Sequence, residues 1–344
     1  MKNGLMVVST GVENKINIGD YVQALAAKQF FASTDIMLER ETDLKIYKRE
    51  PVKMIMNGWY MNHPENWPPS DKINPLFVAL HINVCGLPRF LSEESVAYLK
   101  KYEPIGCRDT NSVHLLESKG VKAYFSGCLT LTLGHTYKST NRGNKIYIVE
   151  PFITQAGLVE YHKIESLKTF IYLLTHYLTV SLVTKKKGES GFKSLFYNAF
   201  YLKSYSKVFE LKILRDAEYI NQYNMEINKQ YPSQNEKLRY AEELVQKYAE
   251  AKCVITSRIH CALPCLGLGT PVIFIEKSDD DECSKSRFGG LIDLLNVLTW
   301  DGLKLHNPLG KETISMNNFP KNKLGWKPIA EKLIKQCTDF AKGY

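Results

Sequence analysis

The chain has 344 residues, 44% of them apolar and 24% charged, with eight cysteines and a formal net charge of +9. The length exceeds what one hydrophobic core usually serves and points to two domains, and the apolar and charged shares exclude a disordered or fibrous protein. No run reaches the roughly 18 apolar residues needed to span a bilayer, the opening MKNGLMVVSTG is too short for a secretory leader, and the scattered cysteines (Cys107, Cys128, Cys253, Cys265) read as reduced core thiols of a cytoplasmic protein.

In chain order, GLMVVST (4–10) is expected as a strand and DYVQALAAKQFF (20–31) as the helix after it. PVKMIMNG and NPLFVALHI supply two more strands, the second ending near His81. SEESVAYLKKY (92–102) is a helix with Ser92 at its N-cap, PIGC a strand, and Asp109 caps the helix TNSVHLLESK, which Gly120 stops. VKAYFSG closes this series as a strand, and the polar stretch GHTYKSTNRGN (134–144) reads as a linker. KIYIVE and VSLVT are expected as strands around a helix near 163–178. NEKLRYAEELVQKYAEA (235–251) is a long helix, CVITS and TPVIFIE (270–276) are strands, RFGGLIDLLNVL is a helix, and KPIAEKLIKQCTDFAKG is a last amphipathic helix. Alternating strand and helix predicts an α/β chain of two doubly wound, Rossmann-like domains facing a cleft, over 1–135 and 145–327, with a basic, aromatic insert at 185–235.

Three polar clusters fall where a strand gives way to a helix. In SRIHCALPCLGLGTPVIFIE (257–276), Ser257, Arg258 and His260 open a helix whose free N–H groups favour an anion. Arg258 adds a forked donor for phosphate or carboxylate, and His260 can exchange a proton near neutral pH. The plain alternative is a capped helix with a solvated arginine. In NIGD (17–20), Asn17 and Gly19 precede Asp20, which sits where an N-cap would, and Gly19 permits close backbone approach. In GCRDTNS (106–112), Asp109 is the cap and Arg108 has no evident structural task. Cys261 and Cys265 beside His260 lack the second ligand pair of a zinc site, so no metal is expected. Neither G-x-G-x-x-G nor a P-loop is present around NIGD.

NIGD, Arg-Asp-x-x-Ser from Arg108 to Ser112, SGCLTLTL (126–133) and SRIHCALPCLGLGTPVIFI occur in an order and spacing that resemble the polysaccharide pyruvyl transferase family. The resemblance covers about 1–135 and 236–300 and includes RFGGLIDLL (287–295). Where the family's Gly-Asn-x-Gly-Asp loop has its first glycine, this chain has Ile16. The resemblance implies a GT-B-like fold, in which the C-terminal helix (328–344) crosses back onto the first domain. It also implies transfer of pyruvate from phosphoenolpyruvate to a sugar of a bacterial surface polysaccharide (capsule or exopolysaccharide) as a ketal. Arg258 and His260 match the motif that holds phosphoenolpyruvate. The chemistry suits His260 as general acid and Asp20 as the acceptor of the hydroxyl proton, with Arg108, Arg258, Ser257, Asn17 and Gly19 around the donor and no cofactor beyond it.

KKKGESGFKSLFYNAFYLKSYSKVF (185–209) interleaves lysines with aromatics. It reads as a solvated helical excursion or as an interfacial helix over 185–215 touching anionic lipid, which suits a lipid-linked acceptor and a peripheral place at the inner face of the membrane. No motif supports nucleic-acid binding. The rival readings are a GT-B glycosyltransferase using a nucleotide-sugar and a non-catalytic sugar- or lipid-binding protein of the same fold.

Overall fold

The structure is a computed structural model that describes residues 1–8, 15–59, 63–82, 90–153, 158–278, 285–310 and 312–343. Its first half forms a sheet from β1 (Lys2–Val7), β3 (Ile36–Glu39), β4 (Val52–Trp59), β5 (Ile73–His81), β6 (Ile105–Cys107) and β7 (Ala123–Phe125), in the order β3-β1-β4-β5-β6-β7. Every pairing in it is parallel. The second half builds a like sheet from β8 (Ile146–Val149), β9 (Glu218–Ile220), β11 (Cys253–Thr256), β12 (Val272–Lys277), β13 (Asn296–Trp300) and β14 (Leu305–His306), in the order β14-β13-β12-β11-β8-β9. Only the edge pair β13–β14 is antiparallel. Strands this apolar sit buried on both faces, as parallel sheets require. A short antiparallel ribbon, β2 (Ile16–Asn17) with β10 (Tyr223–Asn224), ties the two halves together.

One apolar cluster runs continuously from Leu5 and Val22 through Leu129 and Leu131 to Val254 and Leu263. The helices Ile18–Lys28, Gln234–Glu250 and Ile259–Gly267 and the 3-10 turn Leu129–His135 meet in it. Their approach is close enough that a Cβ on Gly267 would stand 2.4 Å from Leu131 O, and one on Gly134 2.1 Å from Gly267 O. Within the polar stretch 134–144, Arg142 donates to Thr270 Oγ1 at 2.6 Å and to Leu268 O and Ala249 O at 3.2 Å. That segment is strapped down, and so large an apolar contact opposes hinge motion about it. The helix Trp326–Lys342 returns to the first half, where Tyr124 Oη donates to Gln336 Oε1 at 3.0 Å.

Two sequence expectations are corrected. VSLVT lies inside the helix Tyr177–Lys186 rather than in a strand. Val180, Val183 and Thr184 are buried there at helical spacing while Leu178 and Leu182 face out, so the 3.6 period outweighs β-branched propensity. RFGGLIDLLNVL forms no single helix: Gly290 takes φ +77, a 3-10 turn spans Ile292–Leu294, and Asn296–Trp300 is β13. A Cβ on Gly289 would stand 2.5 Å from Thr110 Oγ1, so this turn is shaped by its contact with the first half. The strand expected over 4–10 ends at Val7, and its residues 9 and 10 lie outside the described residues.

Candidate active site

The first wall is built by the starts of two helices. Asn17, not Asp20, is the N-cap of Ile18–Lys28: its Oδ1 accepts from Gly19 N at 3.1 Å. Asp20 therefore stands in the first turn, free of the capping task expected of it, and accepts from Gln23 Nε2 at 3.1 Å. Gly19 is required by contact, since a Cβ there would meet His260 Cβ at 2.8 Å. Ile16 buries its side chain in the core, which accounts for an apolar residue at the head of this loop.

Asp109 caps the helix Thr110–Glu117 as expected, its Oδ1 accepting from Ser112 N at 2.8 Å. Its Oδ2 lies 2.6 Å from Nδ1 of His81, at the end of β5. Just before it, Ala79 holds φ +54 and β4–β5 slips register between Met56 and Gly58. Such irregularities re-aim side chains at strand ends.

The second wall is organised by Glu150, which follows β8 in a left-handed conformation (φ +46). Its Oε1 accepts from Gln222 N and Tyr223 N, both at 2.8 Å, and its Oε2 takes a close bond from Arg258 Nε. The Arg258 guanidinium also lies 5.6 Å from the centre of the Tyr223 ring. Ser257 spends its hydroxyl proton on Glu150 O. Arg258 N donates to Thr256 Oγ1 at 2.9 Å as the helix Ile259–Gly267 begins.

Between the walls lies a cavity of about 300 Å³ lined by Asn17, Asp20, His81, Arg108, Arg258 and His260, with Arg40 and Arg287 beside them. Arg108 is 4% exposed; its Nη1 reaches His260 Nε2 at 3.2 Å, and its Nε has no partner among the described residues. A buried guanidinium N–H left unbonded is costly, and an anion is what would satisfy it. Burial, then the neighbouring Arg108, Arg287 and Arg258 charges, hold His260 well below the usual histidine range. Its imidazole is neutral, with Nε2 accepting from Arg108 and Nδ1 3.3 Å from the Gln23 amide. Burial also raises the Asp20 carboxyl above its ordinary value, against the pull of Arg40 and Arg108. Burial and Arg108 push His81 down to about 4. Asp109 is pushed up by burial too, but the His81 hydrogen bond, Arg108 and the Ser112 N–H outweigh that and keep it ionised. His81 thus donates through Nδ1, leaving Nε2 with no hydrogen bond among the described residues, on a ring that lines the cavity.

A second cavity of about 570 Å³ adjoins the first, sharing Tyr223, Arg258 and Arg287. Of the residues expected from sequence, Asn17, Asp20, Arg108, Arg258 and His260 converge on the first cavity, Ser257 lines the second, and Gly19 lies beneath without lining either. Sequence reasoning missed Gln23, Arg40, Glu150, Tyr223 and Arg287, and passed over His81 as a strand end. Arg287 opens the RFGG segment and had a signal; Glu150 and Tyr223 had none. Cys261 and Cys265 are buried core thiols, and among the described residues no group of three His, Cys, Asp or Glu is arranged to hold a metal.

Two largely parallel sheets whose carboxyl ends share an arginine-lined cavity define an open-sheet α/β protein, the kind that takes ligands at its strand ends. The family model for polysaccharide pyruvyl transferases matches residues 17–279. The chain belongs to that family, whose members are transferases of polysaccharide biosynthesis. Curated protein sequences and solved structures give no significant match.

Proposed function

We propose that the protein moves the pyruvyl group of phosphoenolpyruvate onto two hydroxyls of a sugar in a surface polysaccharide or its precursor, forming a ketal and releasing phosphate. The observation that carries this reading is the meeting of Arg108 from the first sheet with Arg258 and His260 from the second around one cavity. Arg108 and Arg258 divide the donor's phosphate and carboxylate between them, and His260 positions Arg108 through Nε2.

The charge states in the cavity run opposite to the roles expected from the sequence, since the carboxyl is the group shifted toward carrying a proton and the imidazoles are not. Asp20 therefore serves as the acid and gives its proton to C3 of the donor, which makes C2 electrophilic. The first sugar hydroxyl bonds to C2 as its proton passes to His81 Nε2, on a ring held by Asp109. The second hydroxyl then adds to C2 as the bond from C2 to the phosphate oxygen breaks. Its proton returns to Asp20, and the phosphate takes the electron pair and the proton held by His81.

The test incubates the protein with phosphoenolpyruvate and a panel of free and lipid-linked sugars, reading phosphate release and product mass. Phosphate equal to ketal formed is expected, with Asp20→Asn and His81→Asn each lowering kcat about 10²–10⁴-fold, the range for lost acid–base catalysis. Protection against thermal unfolding by nucleotide-sugars but not by phosphoenolpyruvate would instead assign a glycosyltransferase.

A further inference from the structure

The helices Lys163–Thr175 and Tyr177–Lys186 bury Thr169, Leu173, Val180 and Val183 and turn Ile164, Leu167, Ile171, Leu174, Leu178 and Leu182 outward. Leu178 is 84% exposed and Ile164 71%. Within each helix the outward residues recur at steps of three and four, so each helix carries an apolar stripe, unlike the single exposed side chains normal on a soluble surface. Phe192, on the helix Gly191–Tyr205 that packs against both, is exposed as well.

Lys163, Lys168, Lys185 and Lys193 are exposed on the same helices. Residues 158–215 hold ten Lys or Arg against four Asp or Glu, six of the chain's nine net positive charges. Other lysines of this region make bonds within the fold, and Lys168 also pairs with Glu165 at 3.2 Å. Lys186 caps carbonyls of Arg215 and Ala217, Lys187 bonds Asn198 Oδ1 at 2.8 Å, and Lys203 pairs with Glu165 at 2.6 Å. Apart from Phe192, the apolar exposure lies N-terminal to the 185–215 segment singled out from the sequence.

We propose that this face docks on a membrane leaflet carrying anionic lipid, with the leucine–isoleucine stripes in the acyl boundary and the lysines among the headgroups. Charge decides between lipid and a second copy of the chain. A two-fold contact would set one lysine-bearing face against its twin, whereas an anionic surface complements it. Among the described residues no helix is long and apolar enough to cross a membrane, so the contact is interfacial. Lys187 and Glu189, at the end of the second stripe-bearing helix, line the 570 Å³ cavity beside the arginine-lined site. At about 1.5 Å rise per residue, Leu182 lies about 8 Å and Leu178 about 14 Å from Lys187 along the axis. A docked protein holds that cavity near the headgroups; that a lipid-linked acceptor enters there rests on the reaction proposed above.

The full chain is sedimented with vesicles of phosphatidylcholine alone and with added phosphatidylglycerol, and its mass in solution is measured over a range of concentrations. Binding to the anionic vesicles that falls with salt is expected. It should drop at least tenfold in Ile171→Ser/Leu174→Ser/Leu178→Ser and severalfold in Lys163→Gln/Lys168→Gln/Lys193→Gln, with phosphoenolpyruvate binding unchanged in both. A Phe192→Trp emission that shifts blue only with anionic vesicles supports the same face in an otherwise unaltered chain. Failure to bind, equal recovery on both vesicle types, or a dimer that the serine variant dissociates would overturn the proposal without touching the assigned chemistry.

Discussion

Acid should unfold this protein through His81 in a way that one substitution can isolate. The ring is buried, donates to Asp109 and stays neutral, its pKa pushed down to about 4 by burial and by Arg108. In the unfolded chain it returns to about 6.5, so between those values the unfolded state binds the extra proton and stability rises with pH. At about 1.36 kcal/mol per pH unit, the full gap caps the penalty near 3.4 kcal/mol, and about 2 kcal/mol of it falls between pH 7 and pH 5. His81→Asn keeps an amide N–H for Asp109 and removes the titration. Urea unfolding of both proteins at pH 7, 6 and 5 checks the difference. The parent should lose about 2 kcal/mol more than the variant over that range, while His260, also held neutral, adds its share to both and cancels. Equal losses in the two proteins would refute the neutral, Asp109-bound imidazole and the base assigned to it.

Arg108→Ala and Arg258→Ala should each weaken phosphoenolpyruvate binding by about 1.5–3 kcal/mol in calorimetry, the range for hydrogen bonds to charged groups. Arg258→Lys should recover only part of that, because a single ammonium cannot bond Glu150 and the donor as a fork does. An alanine variant that binds as tightly as the parent removes its arginine from the site. Gly267→Ala should destabilise by about 1–3 kcal/mol or more, because the added methyl meets backbone at Leu131 O, 2.4 Å away, and cannot be relieved by a rotamer change. An unchanged urea midpoint would show that the helix and the 129–135 turn are less closely docked than the structure has them.

Local sequence carried much of the fold and part of the site. The apolar runs of β1, β4, β5, β11 and β12, the Ser92 and Asp109 caps, and the amphipathic last helix follow from pattern and capping chemistry, which act over a few residues. Arg108, Arg258, His260 and Asp20 were legible because each is a polar residue at a junction between strand and helix, where the backbone itself directs side chains toward a ligand. Tertiary structure decided the rest. Whether VSLVT becomes helix or strand depended on what Val180 and Val183 could bury against, and the RFGG turn depended on Thr110 across the interface. Glu150 and Tyr223 enter the site only because β8 and the β9–β10 segment, about 70 residues apart in the chain, bring a carboxylate onto two backbone N–H groups. Proton states were beyond sequence altogether, since a carboxyl's or an imidazole's pKa is set by burial and by charges from distant segments. Arg108 beside His260, 152 residues away, is one such charge, and it helps keep neutral the imidazole that the sequence offered as an acid.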